Sequence, residues 1–262
     1  MSTTSIVSCV STTRAVSLRS RLEYLLTCCR ADLRLRVLAL VTAYVLGVAS
    51  MLRLVLFIVF ARQNGASEWL LVPTLTLGLL NDLVNIPAVA LPLVLSLWLL
   101  PPAFHRLPVG RAMLAIQVWL GLFAVLFFAV VEFLFFKEFN ARFNLVAVDY
   151  LIYPHEVFGN IVESYHVVAV ALTVAVIAAT PLIAAWQWVM AAPVPQQRLM
   201  HRLKRLIGYA AVPGVLLTVF STHSLDFSAN RVVNEIAANG VSSFFEALHT
   251  NHLDYPAFYR TG

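Results

Sequence analysis

Charged residues and cysteines are both scarce in this sequence. Only 12% of the 262 residues are charged, whereas 60% are hydrophobic. A soluble domain has about 25% charged residues, so this composition excludes an ordinary soluble fold. Cys9, Cys28 and Cys29 all precede the first apolar run and lack the spacing of a zinc site. We interpret them as reduced structural residues, with lipidation of Cys28 or Cys29 beside the membrane as the alternative.

The sequence also lacks an internal repeat, a nucleic-acid motif and a cluster of metal ligands. The absence of a repeat weighs against a secondary transporter. The net charge of +5 comes from basic residues at the ends of apolar runs, so we expect no nucleic-acid partner. His249 and His252 with Asp254 are the nearest approach to a metal group, and we interpret them as polar positions on a docking helix. We predict no metal site and no catalytic residue in this chain.

Five apolar runs have lengths near the roughly 20 residues that cross a bilayer core. They predict an all-α integral membrane protein with five transmembrane helices and short interfacial extracytoplasmic helices. The fifth run is the shortest and contains Pro213 and Gly214. Prolines in the second run predict a kink or local unwinding. The expected division is a cytoplasmic arm at 1–32, a membrane domain at 33–220 and an extracytoplasmic linker at 221–262. The spans are expected at about 37–60, 71–100, 112–136, 166–190 and 203–220.

The loops predict the orientation of the chain in the membrane. Basic residues concentrate before the first run, between the second and third, and between the fourth and fifth. Because cytoplasmic loops are enriched in Lys and Arg, we expect a cytoplasmic N-terminus and an extracytoplasmic C-terminus. The expected location is the cytoplasmic (inner) membrane.

Three ionisable residues, Arg53, Asp82 and Glu132, fall within the apolar runs. A charge at such a depth normally turns toward a partner or a wet cavity, because an unpaired charge there costs a few kcal/mol. We therefore expect Arg53 to pair with Asp82, Glu132 or both. The resulting cluster has two interpretations, an interhelical staple and a polar cradle for a lipid headgroup.

Two extracytoplasmic stretches have the rhythm of amphipathic helices. The loop at 137–165 repeats apolar residues at helical spacing and predicts two short interfacial helices. The tail predicts two more short helices, with a break at Asn239 and Gly240. We expect the apolar faces of these helices to pack against another part of the protein or a partner. In the loop, polar residues would face water or a neighbouring domain, namely Asn140, Asn144, Asp149, Glu156, Asn160 and Glu163.

These stretches and the five-span layout resemble the lipoteichoic acid synthase family and its sulfatase-like phosphoglycerol transferase relatives. In the loop, the similarity lies in FN at 143–144, AVDYL at 147–151, EV at 156–157 and NIVESY at 160–165. These strings include Asn144, Asp149, Tyr150, Glu156, Asn160, Glu163, Ser164 and Tyr165. In the linker, it lies at Asn234, Glu235, Asn239, Gly240, Ser243, Phe244, Ala247, Asn251, Asp254, Tyr255, Phe258 and Tyr259. Gly78 and Asp82 resemble a Gly and an Asp common in the family's second span.

The resemblance implies a membrane anchor followed by an extracytoplasmic domain of the alkaline phosphatase superfamily. There a metal-activated threonine attacks the phosphodiester of a phospholipid headgroup. The chain stops at Gly262, about where that domain should begin, so no nucleophile or metal ligand can be assigned. We expect no activity and no cofactor from this chain alone, since the divalent metal would belong to the catalytic domain. Expected partners are that domain and membrane lipids, phosphatidylglycerol among them.

Three alternatives remain from the sequence. The first is a stand-alone structural or interaction protein from a shortened gene. The second is the anchor of a phosphoethanolamine transferase, which also has five spans but matches the AVDYL and NIVESY strings less well. The third is a small transporter.

Overall fold

The computed structural model describes residues 32–144, 146–148, 159, 166–219 and 227–250. These residues form helices and short turns, without a strand in the described ranges. The α-helices are α1 (Leu33–Leu56), α2 (Leu71–Val89), α3 (Leu91–Leu99), α4 (Pro108–Phe139), α5 (Val167–Met190), α6 (Leu199–Val219), α7 (Arg231–Ala237) and α8 (Gly240–Thr250). A π-helical turn at Phe57–Ala61 continues α1, and 3₁₀ turns at Glu68–Leu70 and Phe104–Arg106 precede α2 and α4.

Four helical segments are long and apolar enough to cross a bilayer, which fits a multi-pass membrane protein. They overlap the first four predicted spans, although the second segment ends at Val89 and covers only part of the span predicted at 71–100. At the fifth, the structure has helix α6, which is not among the four because Arg202, Lys204 and Arg205 occupy its N-terminal half. The five-span count therefore stays a prediction. The four segments are Leu33–Ala61, Glu68–Val89, Pro108–Phe139 and Val167–Met190.

The second predicted span is divided into two helices. Helix α2 ends at Val89 and α3 begins at Leu91, with Ala90 at the junction. Pro87 lies inside α2 and Pro92 in the first turn of α3, and neither has a backbone N–H to donate. Around them the helical ladder continues only in part, through the bonds from the Ala90 N–H to the Ile86 carbonyl and from the Val94 N–H to the Ala90 carbonyl, both at 2.9 Å. The prolines account for the interruption.

The bundle has two ends, which we name by α1. The proximal end is where α1 begins, beside the turn at 192–197, and the distal end is where the segment Leu33–Ala61 finishes. A buried core near the proximal end contains Val37, Leu97 and Leu122. A second core at the distal end includes residues of the predicted linker, Val233 and Ile236, both fully buried. The C-terminal helices thus belong to the packed structure.

The predicted linker forms the two short helices expected on either side of Asn239 and Gly240. Helix α7 ends at Ala237 and α8 begins at Gly240. The interfacial helices predicted at 137–165 lie mostly outside the described residues. Within that loop, the Asn144 side chain accepts a hydrogen bond from the Val146 N–H at 3.0 Å, which stabilises a short turn.

Candidate functional site

The distal end contains an ion pair between two adjacent helices. Arg53 of α1 donates to both carboxylate oxygens of Asp82 of α2, from Nη1 to Oδ2 and from Nη2 to Oδ1, the latter at 2.8 Å. Both residues are only 1% exposed. Gly78 lies one turn before Asp82 on the same face of α2, and the guanidinium crosses it so closely that a Cβ atom there would collide with Arg53. The missing side chain of Gly78 thus makes room for the pair.

The pair is covered by the junction between α7 and α8. Arg53 Nη2 also donates to the carbonyl of Ala238 at 3.1 Å. The Asn239 side-chain amide donates to Asp82 Oδ1 at 2.7 Å. Nε of Arg53, which lies against Gly78, is the guanidinium nitrogen that has no partner in the described part of the chain. The carboxylate and most of the guanidinium are therefore satisfied by protein groups.

Two asparagines on the same face of α2 extend this contact. Asn81 Nδ2 donates to the carbonyl of Ala237 at 3.1 Å, and Asn85 Oδ1 accepts from the hydroxyl of Ser242 at 2.7 Å. With Asp82, the two asparagines line one polar stripe of an otherwise apolar helix. This stripe holds both the end of α7 and the beginning of α8.

A second ion pair lies beside the first. Arg142, which follows α4, contacts Glu132 of α4 through Nη1. Arg142 also donates to the carbonyls of Glu235 and Ile236 at 3.1 and 2.9 Å, and its backbone N–H donates to the Glu235 carboxylate at 3.0 Å. Glu132 packs against Gly240 so tightly that a Cβ atom there would collide with the carboxylate. The two pairs therefore enclose the α7–α8 junction from two sides.

The last carbonyls of α7 all receive bonds from the bundle. A helix leaves its final four carbonyls without helical partners, and at a buried helix end other donors must satisfy them. Here Arg142 donates to the carbonyls of residues 235 and 236. Asn81 donates to the carbonyl of residue 237, and Arg53 donates to that of residue 238, which caps the helix. The two guanidinium groups also lie at the negative end of the helix dipole, where cations are favoured.

Two asparagines cap the beginnings of the linker helices. Asn230 accepts from the N–H groups of Val232 and Val233 at the start of α7, and its amide donates to the carbonyl of Asn64 at 3.0 Å. Asn239 accepts from the Val241 N–H at 3.0 Å at the start of α8. Asn239 therefore both begins a helix and bonds to Asp82. We name residues 227–250 the docked linker.

The groups in this cluster can attach the docked linker to the helices of the bundle. Its charges form closed pairs, and no group of three or more potential metal ligands occurs in the described ranges. A lipid headgroup would reach Arg53 or Asp82 only by displacing the docked linker, because both are buried beneath it. The geometry favours the staple over the headgroup cradle.

The structure brings together part of the predicted site. Arg53, Asp82, Asn239 and Gly240 lie within one cluster, and Glu132 borders it while pairing with Arg142 rather than Arg53. Asn144 lies in the described loop but makes only a local bond. The remaining predicted residues lie outside the described ranges, namely Asp149, Tyr150, Glu156, Asn160, Glu163, Ser164, Tyr165, Asn251, Asp254, Tyr255 and Tyr259.

Sequence reasoning missed Arg142 as a member of this cluster. The residue looked like one charge among several in a loop. A usable signal existed, since Glu132 lies close to the end of its apolar run and the nearby loop supplies a cation that can fold back to it.

Comparison with known proteins adds no relative. No protein family, curated protein or solved structure matches this chain.

Proposed function

We propose that this chain is the membrane anchor domain of a lipoteichoic acid synthase-like phosphotransferase that acts on phospholipid headgroups at the outer face of the cytoplasmic membrane. In this proposal the distal end faces outward and the docked linker leads to an extracytoplasmic phosphatase-like domain. The function of the bundle is to hold the start of that domain at a fixed place beside the membrane.

The observation that carries the proposal is the docking of the linker through buried charge. A connector that only joins two domains needs no buried ion pairs and no helix end capped by the bundle. Here the carbonyls at the end of α7 and at the Ala238 cap that follows it accept bonds from Arg142, Asn81 and Arg53, and Val233 and Ile236 are fully buried in the distal core. Burying each of these two apolar side chains contributes about 1.5–3 kcal/mol. The segment is thus built to be held in one position.

Fixed attachment suits an enzyme whose substrate is part of the bilayer. A headgroup phosphodiester lies at the membrane surface, so a catalytic domain on a rigid mount meets it in a restricted orientation, which reduces the entropic cost of reaction. Phosphatidylglycerol is the lipid that the resemblance favours. The nucleophile and the divalent metal would belong to the phosphatase-like domain.

Cross-linking tests whether the linker is docked in the membrane-embedded protein. In a background with the native cysteines replaced by serine, Asn64→Cys and Asn230→Cys place thiols on two neighbouring residues, since the Asn230 side chain donates to the Asn64 backbone carbonyl at 3.0 Å. A short bis-methanethiosulfonate reagent should join them efficiently in nanodiscs. The matched control pairs Asn230→Cys with Leu172→Cys on the exposed face of α5. Equal yields from the two pairs would refute docking.

The reading frame tests the catalytic part of the proposal. An in-frame alkaline phosphatase-type domain downstream of the Gly262 codon would support an anchor domain. A stop codon there would overturn it and favour the stand-alone interaction protein.

A further inference from the structure

A cavity at the proximal end lies outside the proposed linker site. Its volume is about 350 Å³, and it lies between the 3₁₀ turn at Phe104–Arg106, the start of α4 and the turn that follows α5. Its polar lining consists of His105, Arg106 and Arg111. Its apolar wall includes Leu33 and Pro193, which are joined by a bond from the Leu33 N–H to the Pro193 carbonyl at 3.0 Å.

His105 is the buried polar group of this cavity. The residue is 3% exposed, and neither ring nitrogen makes a hydrogen bond within the described part of the chain. Burial and the nearby charge of Arg34 lower the pKa of His105, whereas the Leu97 backbone, which lies close to the ring but outside hydrogen-bonding geometry, raises it. The ring is therefore neutral at neutral pH and keeps one N–H to donate. A buried donor of this kind calls for an acceptor, since leaving it unsatisfied costs about 1–3 kcal/mol.

Two arginines stand at the mouth of the cavity. Arg106 is anchored by one bond, from Nη2 to the carbonyl of Val194 at 3.0 Å, which leaves its other donors available to the cavity. Arg111 is exposed in the first turn of α4. A guanidinium presents five donors in a planar fork, a geometry that matches the oxygens of a phosphate group.

The surroundings add further positive charge. Arg34 is fully buried with Nε and Nη2 unsatisfied, and Arg202 is buried with Nε unsatisfied, as judged over the described residues. Both arginines lie near enough to His105 for their positive charge to lower its pKa. Asp32 is the acidic residue at this end of the described structure, where it caps α1, and burial raises the pKa of its carboxyl group. The cations therefore outnumber their acidic partner.

We propose that this proximal cavity is a binding site for a phosphate group, held by His105, Arg106 and Arg111. The phosphate could belong to an anionic lipid of the adjoining leaflet or to a soluble ion, since both present the same oxygens. This site does not depend on the proposed function of the distal end.

Two binding measurements on the full chain test the proposal and separate the sources. Calorimetric titration with inorganic phosphate, in phosphatidylcholine nanodiscs, measures the soluble ligand. Native mass spectrometry after reconstitution with phosphatidylglycerol and phosphatidylcholine measures retention of the anionic lipid. Binding of inorganic phosphate indicates a soluble ligand, and selective retention of phosphatidylglycerol alone indicates a headgroup. If neither probe binds, the proposal is wrong.

Charge-matched variants decide whether the cavity is responsible. The double variant Arg106→Gln/Arg111→Gln should weaken binding about tenfold or more, because it removes two charge-assisted contacts. Arg111→Gln alone, which leaves the Arg106–Val194 bond intact, should give part of that loss. The control Arg62→Gln/Arg231→Gln removes the same charge from exposed distal positions and should bind as the wild type does. Equal affinity in both double variants would overturn the assignment.

Discussion

Removing the guanidinium of Arg53 should destabilise the bundle strongly. Arg53→Leu leaves the Asp82 carboxylate buried with one remaining side-chain donor, from Asn239, and also removes the donor to the Ala238 carbonyl. Breaking a buried pair by deleting one partner typically costs about 3–5 kcal/mol, since the other charge stays buried without compensation. For a chain of this size, each kcal/mol lowers Tm by about 2–4 °C, so we expect a fall of roughly 6–20 °C.

The assay is thermal unfolding of the purified protein in detergent, with an exposed ion pair as its control. Arg62 pairs with Glu68 at the surface, where the two side chains are 55% and 79% exposed. Such pairs contribute about 0–1 kcal/mol, so Arg62→Leu should change Tm by no more than a few degrees. The reasoning is refuted if Arg53→Leu and Arg62→Leu lower Tm equally.

A double variant distinguishes the loss of the ion-pair attraction from the cost of leaving the Asp82 carboxylate buried without its partner. In Arg53→Leu/Asp82→Leu both charges are gone, and what is lost besides the pair is the two hydrogen bonds to the linker, at Ala238 and Asn239. Because a buried pair and well-packed apolar residues are often close in energy, the double variant should be more stable than Arg53→Leu alone. The same samples also report on docking, since hydrogen exchange in 231–250 should rise in the single variant.

Three further results are expected. Gly78→Ala should lower Tm because its Cβ would displace Arg53, whereas Gly47→Ala, with open space around it, should leave Tm unchanged or slightly higher. Gly240→Ala should raise hydrogen exchange in the docked linker, since its Cβ would meet the partly buried carboxylate of Glu132; unchanged protection would contradict the close packing. His105→Gln should flatten the pH dependence of Tm: the lowered folded-state pKa of His105 means that the wild type loses stability as pH falls below about 6.5, where the unfolded chain gains a proton. Parallel curves from pH 8 to 5, measured without phosphate, would contradict the His105 assignment.

The membrane helices could be predicted from the sequence because an apolar run of sufficient length is a property of composition. Four predicted spans overlap four apolar helical segments of the structure, the second of them only as far as Val89. The end of α2 was harder, because the pattern shows prolines but cannot decide whether they bend a helix or divide it. Here Pro87 and Pro92 lie close enough together to divide it at Ala90. The fifth span stays a prediction, since the basic residues of α6 weaken its apolar signal.

The polar cluster was only partly predictable, for a different reason. The cost of a buried charge predicts that Arg53 needs a partner, and Asp82 was one of two candidates. That cost does not say which partner, because the choice depends on how helices rotate against each other. Glu132 pairs with Arg142 because the chain turns back after α4, a feature with no periodic signal. The capping of α7 by side chains from α1, α2 and the residues after α4 depends on tertiary structure alone.

Buried arginines have different surroundings at the two ends of the bundle, and this contrast agrees with both proposals. At the distal end, Arg53 and Arg142 meet carboxylates and the carbonyls of α7, so the protein itself supplies nearly all the acceptors. At the proximal end, Arg34 and Arg202 keep unsatisfied nitrogens within the described structure, and Asp32 is the acid near Arg34. A cluster whose donors all find acceptors within the protein holds chain segments together. A cationic cluster with donors left over attracts an anion from outside. The distal end is therefore expected to respond to substitutions through stability, and the proximal end through binding.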